Sequence, residues 1–533
     1  MPHVHRYVRV TDFETVTYEI SSELTILGSL KSTELASPTV VARYHVVSVS
    51  DKADIDNDGN FCTLIVGSLK HDWYGYLTSV SDAKKSSLLL NCLIPGEPNY
   101  VIIIDAGSSG SRLFIYRCYV PKLGELLAVQ PVLDEKGQNV VKKKEPGLSS
   151  FAENPSDVVE YVKDLLDYAS EYIPSTKRKE TSLFILATAG MRLLPEKKQD
   201  DILQELYNRL PSMYDFAMAK DSFQVISGKH EGLYAWISMN YVLGRLGPNR
   251  SQTKTAGIID LGGGSVQIAF EVPQAQPYEQ VYSHSLFEEV NLSYDGSSSH
   301  YKYRVYISTF LGYGANQANR LYEKWLSEQN TSRSTGPRTV NDCCLPKGMV
   351  INVSTVGLEH VRRRGAGCFY TCMNDLKRII TENVSCNEPR CSLQGIYQPA
   401  IDYNEMEFYG MSEYWFTSND VFTLGTSYDR QKFLYSSSEY CSTNWSIIWR
   451  RFSRKLYPKA DENRLRMQCF KSAWASVLLH TAFGFPENVS TFHPVYQIEG
   501  KEIQWTLGAV LHKMRHLPLK KDKNMPGCDT SIT

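Results

Sequence analysis

Hydrophobic and polar positions change rhythm along the 533 residues. Residues 1–98 alternate short β-prone runs (VTYEI, VVARYHVVSVS, FCTLIVGSL) with polar stretches, and nothing in them points to chemistry. The acidic DKADIDNDGN resembles part of a calcium loop but lacks the closing glutamate, so it reads as a solvated turn. From residue 99 the pattern becomes strand, turn, strand. In VIIIDAGSSGSRLFIYR (101–117) four apolar residues run into Asp105, the next six positions are all Ala, Gly or Ser, and apolar character then resumes. Asn154 and Pro155 then place a cap and a first-turn proline before a helix in which Val158, Val162, Leu165, Leu166 and Ala169 recur at helical spacing. LFILATAG (183–190) reads as a buried strand ending in a small-residue turn, and QDDILQELYNRL (199–210) as an amphipathic helix. HEGLYAWISMNYVLG (230–244) has helical spacing through Leu233, Trp236, Ile237, Tyr241 and Val242, with Gly244 suited to its end and Glu231 in its polar first turn. AGIIDLGGGSVQIAFE (256–271) then repeats the grammar of the first hairpin, its Asp260 lying 155 residues beyond Asp105. Alternating helices and strands predict an α/β fold, and the repeated hairpin predicts an internal duplication.

Composition removes some options. With 57 Lys and Arg against 58 Asp and Glu, there is no electrostatic case for a nucleic acid or an anionic membrane as partner. Eight of the twelve cysteines fall between 343 and 469, without the paired CxxC and HxxxH spacing of zinc sites, which favours disulfides over a metal centre or scattered thiols. The same half carries seven Asn-x-Ser/Thr triplets, at Asn249, Asn291, Asn330, Asn352, Asn383, Asn444 and Asn488. Together these favour an oxidising secretory lumen. Against that, the N-terminal MPHVHRYVRVTDFETVTYEI has no apolar core of the signal-peptide kind, and no run of about 18 apolar residues occurs.

The repeated hairpin is the chemical clue. Glycine and serine let the backbone approach an anion and aim amide donors at it, while an aspartate at the strand end can hold a divalent cation or its water. A single such hairpin is only a turn; two facing each other could clamp neighbouring phosphates. Duplicated Asp-Gly hairpins resemble the actin, Hsp70 and sugar-kinase superfamily. DAGSSGSR (105–112), ATAGMRLL (187–194), GKHEGLYAWISMNYVLG (228–244), DLGGGSVQIAFE (260–271) and WASVLLHTAFGFP (474–486) resemble, in order, the five conserved regions of the apyrases, the nucleoside triphosphate diphosphohydrolases. FYGMSEYWF, CFKSAW and IQWTLGAVL are most similar to the intracellular Golgi and lysosomal branch that includes the Golgi UDPase.

The resemblance implies two ribonuclease H-like lobes with a cleft between them: lobe I over 99–229 with a return of 490–520, lobe II over 230–489 carrying the cysteines and sequons, an N-terminal extension over 1–98 and a polar tail over 521–533. It implies hydrolysis of the terminal phosphate of nucleoside di- or triphosphates, with Mg²⁺ or Ca²⁺ held largely through water by Asp105 and Asp260. Glu231 matches the catalytic base, a role contributing about 10²- to 10⁴-fold; a first-turn glutamate that merely favours the helix dipole is the competing reading. Ser265 and Gln267 would position the attacking water. Gly107, Ser108, Ser109, Arg112, Gly262, Gly263 and Gly264 would hold phosphate oxygens, and Thr188 would help place the terminal phosphate. Arg192 belongs to the same motif and is equally readable as a structural ion pair. His230 receives no role, Tyr414 or Trp415 would stack the base, and Trp505 reads as packing. Resemblance pairs Cys441 with Cys469 and Cys344 with Cys372; proximity suggests Cys343 with Cys368 and Cys386 with Cys391.

Relatives of this branch carry membrane spans at their ends. None is visible here, so such segments are expected to lie outside this sequence. Two other functions share the clamp: a nucleotide-driven binding protein of the actin or chaperone kind, and an exopolyphosphatase. The glutamate-glycine and Ser265-Val266-Gln267 motifs argue against the first. The sequons and the expected disulfides and base-stacking pair argue against the second.

Overall fold

The computed structural model describes residues 97–517 and 519, except 122, 249–253, 273–283, 330–337, 354–360 and 383, together with four short strands nearer the N-terminus. The calcium-loop-like stretch 51–60, the sequons at Asn249, Asn330 and Asn383, and the tail from 521 lie outside the described residues. The chain separates into two compact units. One comprises Met1–Glu97, Leu133–Gln138 and Asp522–Thr533, the other Pro98–Val132 and Asn139–Lys521. In the first, Tyr7–Arg9 pairs in parallel with Thr25–Leu27, and Arg43–His45 pairs antiparallel with Val66–Ser68.

The second unit contains two sheets of like topology. In lobe I, β1 (Asn99–Ala106) and β2 (Ser111–Tyr119) form the first hairpin, flanked by β3 (Ala128–Pro131) and β4 (Val141–Lys144) on the β2 side. On the β1 side lie β5 (Ser182–Ala187) and β6 (Phe223–Val225), both parallel to it. In lobe II the second hairpin, β7 (Gly257–Leu261) and β8 (Ser265–Glu271), is flanked beyond β8 by β9 (Phe287–Asn291) and β10 (Lys302–Leu311), with β10 next to β8. Beyond β7 come β11 (Phe408–Ser412) and β12 (Phe492–Pro494), again parallel. The duplication read from two short motifs therefore extends to the hairpin and the two parallel strands beside it; on the other side the sheets differ, since β3 and β4 both pair with β2 whereas β9 pairs with β10 and not with β8.

The run VIII explains itself once the layers are known. Ile102 and Ile104 face a core built with α1 (Val158–Tyr172) and α3 (Glu196–Met213), whereas Val101 and Ile103 face one shared with α4 (Gly228–Val242) and α8 (Trp505–Met514). A strand covered on both faces has no polar position to alternate with. Helix α1 buries all five residues that its periodicity marked. Asn154 caps a short turn before it through its carbonyl, which accepts from the Asp157 amide at 3.2 Å, and makes no side-chain capping bond. Helix α4 is buried on nearly every side from Gly232 to Asn240, because it packs on the lobe II sheet and against α8. Helix α8 in turn packs on the lobe I sheet, so the last described helix returns to the first lobe.

Four disulfides lie in lobe II: Cys343–Cys368, Cys344–Cys372, Cys386–Cys391 and Cys441–Cys469, with Cα separations of 4.5, 5.0, 5.8 and 5.5 Å. The three that close loops of 25 or 28 residues would each, taken singly, stabilise the fold by about 3.5 kcal/mol on the chain-entropy account. Cys118 stays free in the core. Among the described sequons, Asn352, Asn444 and Asn488 are exposed. Asn291 is half-buried, its amide nitrogen donating to the Gly296 carbonyl. No helix among the described residues is long and apolar enough to cross a membrane.

Candidate active site

The two hairpin turns close in the same way. Gly107 N donates to Gly110 O at 2.9 Å, and Gly262 N to Ser265 O at 3.0 Å. Register matches too: Asp105 sits opposite Arg112, and Asp260 opposite Gln267. In the second turn the carbonyls of Gly262, Gly263 and Gly264 all accept bonds from amides of residues 312–317, where α5 (Ala315–Gln329) begins. With its acceptors turned away, the turn is left with donors to offer an anion. The turns also approach each other, since a Cβ built on Gly263 would stand 2.9 Å from Ser108 Oγ. Ser109 is exposed at its turn and lines the cleft, Arg112 lies 3.6 Å from Asp105, and Thr188 is buried just after β5 with its hydroxyl unused for capping.

Glu231 stands where these elements meet. Ser227 Oγ caps α4 by accepting from His230 N at 3.1 Å, which fixes the first turn. The Glu231 side chain is buried, and its Oε2 accepts from Arg192 Nη2 at 2.7 Å and from Gln267 Nε2 at 3.2 Å. Ser265 Oγ accepts from Gln267 Nε2 at 2.7 Å and from Arg192 Nη2 at 3.0 Å, so the hydroxyl keeps its own proton for another acceptor. Burial pushes Glu231 up to about 7; Arg192 pulls it down, and Asp260 and Asp105 push it further up. A carboxylate poised near neutrality is matched to general-base work, and a helix-dipole role would require neither the burial nor these partners. His230 is exposed at the helix start, its ring nitrogen 2.9 Å from Ser227 Oγ.

Asp105 and Asp260 are both buried carboxylates. Burial raises Asp105 to about 6, with Arg112 opposing, Asp260 adding to the rise and the Trp505 indole N–H directed at it opposing. Burial likewise raises Asp260, with a bond from Ser412 and the charge of Arg112 opposing. One oxygen of Asp260, Oδ1, is buried without a partner. An orphaned carboxylate oxygen on a residue whose charge is felt by a second buried carboxylate is the kind of site that a divalent cation relieves, so these residues fit one. No group of three or more His, Cys, Asp or Glu able to hold a metal occurs among the described residues.

A cleft of about 340 Å³ leads outward from Ser109 and Arg112, past Lys143 and Lys144, to Phe416 and Arg464. Neither aromatic expected to stack a base lines it. Tyr414 is a core residue, 3 % exposed, its ring packed edge-on against Phe492 at 5.2 Å, and Trp415 lies off the cleft wall. The ring on the wall is Phe416, with the Arg464 guanidinium 5.3 Å from its centroid. Glu413 holds both that guanidinium and the Lys471 ammonium, which project from α7 (Glu462–Val477). Burial alone would raise Glu413, but Lys471 and Arg464 outweigh it and bring it down to about 2. Trp505, read as packing, does stack on Tyr234, and it also serves Asp105.

Residues 91–526 match the GDA1/CD39 (nucleoside phosphatase) family, and residues 1–65 match the β-barrel domain of Integrator complex subunit 14. Among curated proteins, the chain is 37 % identical to nucleoside-diphosphatase mig-23 of Caenorhabditis elegans over 440 residues, covering 80 % of this chain and 78 % of that protein. It is 40 % identical to ectonucleoside triphosphate diphosphohydrolase 4 of Mus musculus over 459 residues, covering 79 % and 74 %. Its fold resembles that of the nucleoside triphosphate hydrolases of Neospora caninum, with a TM-score of 0.52 at 15 % identity over 81 % of this chain and 95 % of that one. The duplicated hairpins, the carboxylate between them and the match over 91–526 agree: the chain belongs to the GDA1/CD39 (nucleoside phosphatase) family.

Proposed function

We propose that the protein hydrolyses the terminal phosphoanhydride of nucleoside di- and triphosphates. The observation that carries this reading is Glu231, a buried carboxylate poised near neutrality, held through one oxygen at the meeting point of two anion-binding turns. The terminal phosphate sits between the turns, its oxygens taking donors from the 108–109 and 263–264 backbones, which the closing bonds of Gly107 and Gly262 leave available, from Ser108 and from Ser265. Glu231 orients a water in line and accepts its proton. The water oxygen bonds to phosphorus as the bond to the bridging oxygen breaks, leaving orthophosphate and a nucleotide shorter by one phosphate. A divalent cation beside Asp105 and Asp260 would supply charge neutralisation on the phosphate oxygens.

A panel of UDP, GDP, ADP and the matching triphosphates, assayed for phosphate release with Mg²⁺ and with Ca²⁺, tests this. Release from inorganic polyphosphate but from no nucleotide would reject it in favour of an exopolyphosphatase. UDP and GDP are the expected substrates, as products of glycosyl transfer in a secretory lumen. Four disulfides and the exposed sequons at Asn352, Asn444 and Asn488 support that compartment. Phe416 and Arg464 would be the base platform. Phe416→Ala should raise KM for nucleotides about tenfold, the loss of roughly one aromatic stacking contact. Its rate on tripolyphosphate, which has no base, should stay unchanged, and an equal loss on both substrates would remove the assignment.

A further inference from the structure

The four-residue turn α2 (Ala189–Arg192) lies where the hairpins come together. A Cβ on Gly190 would stand 2.6 Å from the Ser108 Cα, and one on Gly264 would stand 2.7 Å from the Ala189 Cβ. One residue of α2 thus abuts the first turn and its neighbour abuts the second, at distances only a missing side chain permits. From the end of the same turn Arg192 reaches three separate segments: Nη1 donates to the Ile226 carbonyl at 2.9 Å, and Nη2 to Glu231 Oε2 at 2.7 Å and Ser265 Oγ at 3.0 Å. Arg192 belongs to lobe I, and Glu231 and Ser265 to lobe II. Glu231 Oε2 is therefore claimed twice, by Arg192 and Gln267, while Oε1 takes no part in these bonds.

We propose that Arg192 is a positioning residue for hydrolysis: it fixes which oxygen of Glu231 meets the water, and with Ala189 and Gly190 it gauges the separation of the two phosphate-binding turns. The inference rests on the hydrolytic reading of the site. An ion pair that only stabilised the fold would need charge but not this geometry. A planar fork can serve Ile226, Glu231 and Ser265 at once, whereas an ammonium cannot hold all three positions. Charged groups acting on Glu231 are Arg192 from α2, Asp105 from β1 and Asp260 from β7, and only the first favours its ionised form.

The test measures kcat, KM, the pH profile and the unfolding temperature of the full chain with UDP as substrate, for wild type, Arg192→Gln and Arg192→Lys. Wild-type phosphate release comes first, because its absence would overturn the hydrolytic reading and this inference with it. Given an active wild type, Arg192→Gln should lose about 10²-fold in kcat with KM changed by less than about threefold. Its acidic limb should move to higher pH, because the one charged group favouring ionised Glu231 is gone. Arg192→Lys should recover about tenfold of that loss, and it carries the test should the glutamine variant not fold. Three results would overturn the proposal while leaving hydrolysis standing: kcat within about threefold of wild type in both variants, a loss confined to KM, or a fall in kcat that tracks unfolding temperature with the acidic limb unmoved.

Discussion

Glu231→Gln is expected to lose about 10³-fold or more of its phosphate release, and at the same time to make the folded chain harder to unfold in mildly alkaline solution. The first effect follows from chemistry. Glutamine can still accept hydrogen bonds from Arg192 and Gln267 at the position of Oε2, but it cannot take a proton from water. The second follows from linkage. Glu231 has a folded value of about 7 against an ordinary 4.5, because burial outweighs the help from Arg192. The folded chain thus binds this proton more tightly than the unfolded one. The associated stability is fully present below 4.5 and is lost as pH rises through about 7, so above neutrality the ionised carboxylate costs the fold up to about 3 kcal/mol. Glutamine does not carry that cost, although it leaves Arg192 without its counter-charge and so recovers only part of it. Denaturation of both proteins at pH 8 and pH 4.5 should show the variant more stable at the first and no such advantage at the second. The wild-type rate should fall along an acidic limb near pH 7. A glutamine variant that keeps more than about a tenth of the wild-type rate would remove Glu231 from the base role.

How far the sequence could lead depended on whether a residue's neighbours lay close along the chain. The hairpins were legible because strand, aspartate and small-residue turn are contiguous, and the two-face burial of Val101 to Ile104 fits an unbroken apolar run. Helix α1 was legible for the same reason. Arg192 was visible as a motif residue, but its meaning was not. Its partners Glu231 and Ser265 lie 39 and 73 residues away, and only the assembled lobes bring them to one guanidinium. Lys143 and Lys144 reach the cleft because β4 pairs with β2 and sets Lys144 opposite Ser111. Which aromatic lines the cleft was not legible, for a reason of phase. Tyr414, Trp415 and Phe416 are consecutive in α6 (Glu413–Asn419), and a helix turns about 100° per residue, so they cannot all face one wall. Phe416 is the one that lines the cleft. Ser412, just before this helix, has φ of 55°, an uncommon conformation for a residue with a side chain. That strain lies beside the second aspartate, since Ser412 also bonds to the Asp260 carboxylate.

Asp260→Asn should leave the fold intact and cost the protein its response to divalent cations. Asp105 and Asp260 both end buried strands, both are raised by burial, and the charge of Asp260 pushes Asp105 up further. Two such carboxylates close to a bound phosphate would repel it and each other, and Arg112, itself 44 % exposed, is a partial remedy. Asp260 Oδ1, buried and without a partner, carries an unmet cost that no side chain in the site offsets. Asp105 and Asp260 would hold a hydrated divalent cation, which would supply donors to Oδ1 through its waters and positive charge to the anion, and so would offset all three penalties. Several outcomes follow. Chelation should stop phosphate release by the wild type. Mg²⁺ or Ca²⁺ together with a non-hydrolysable nucleotide should raise its unfolding temperature, since a ligand that binds only the folded form shifts the equilibrium by mass action. Asparagine removes the charge while keeping the shape, so the variant should need more than about tenfold higher metal for half-maximal rate and show little metal-dependent thermal shift. Its metal-free form should be no less stable than wild type, because a buried charge has been replaced by a neutral group. Activity that survives chelation, or a thermal shift that Asp260→Asn leaves unchanged, would mean that the aspartates serve the turns themselves and that the phosphate is neutralised by Arg112 and the backbone amides alone.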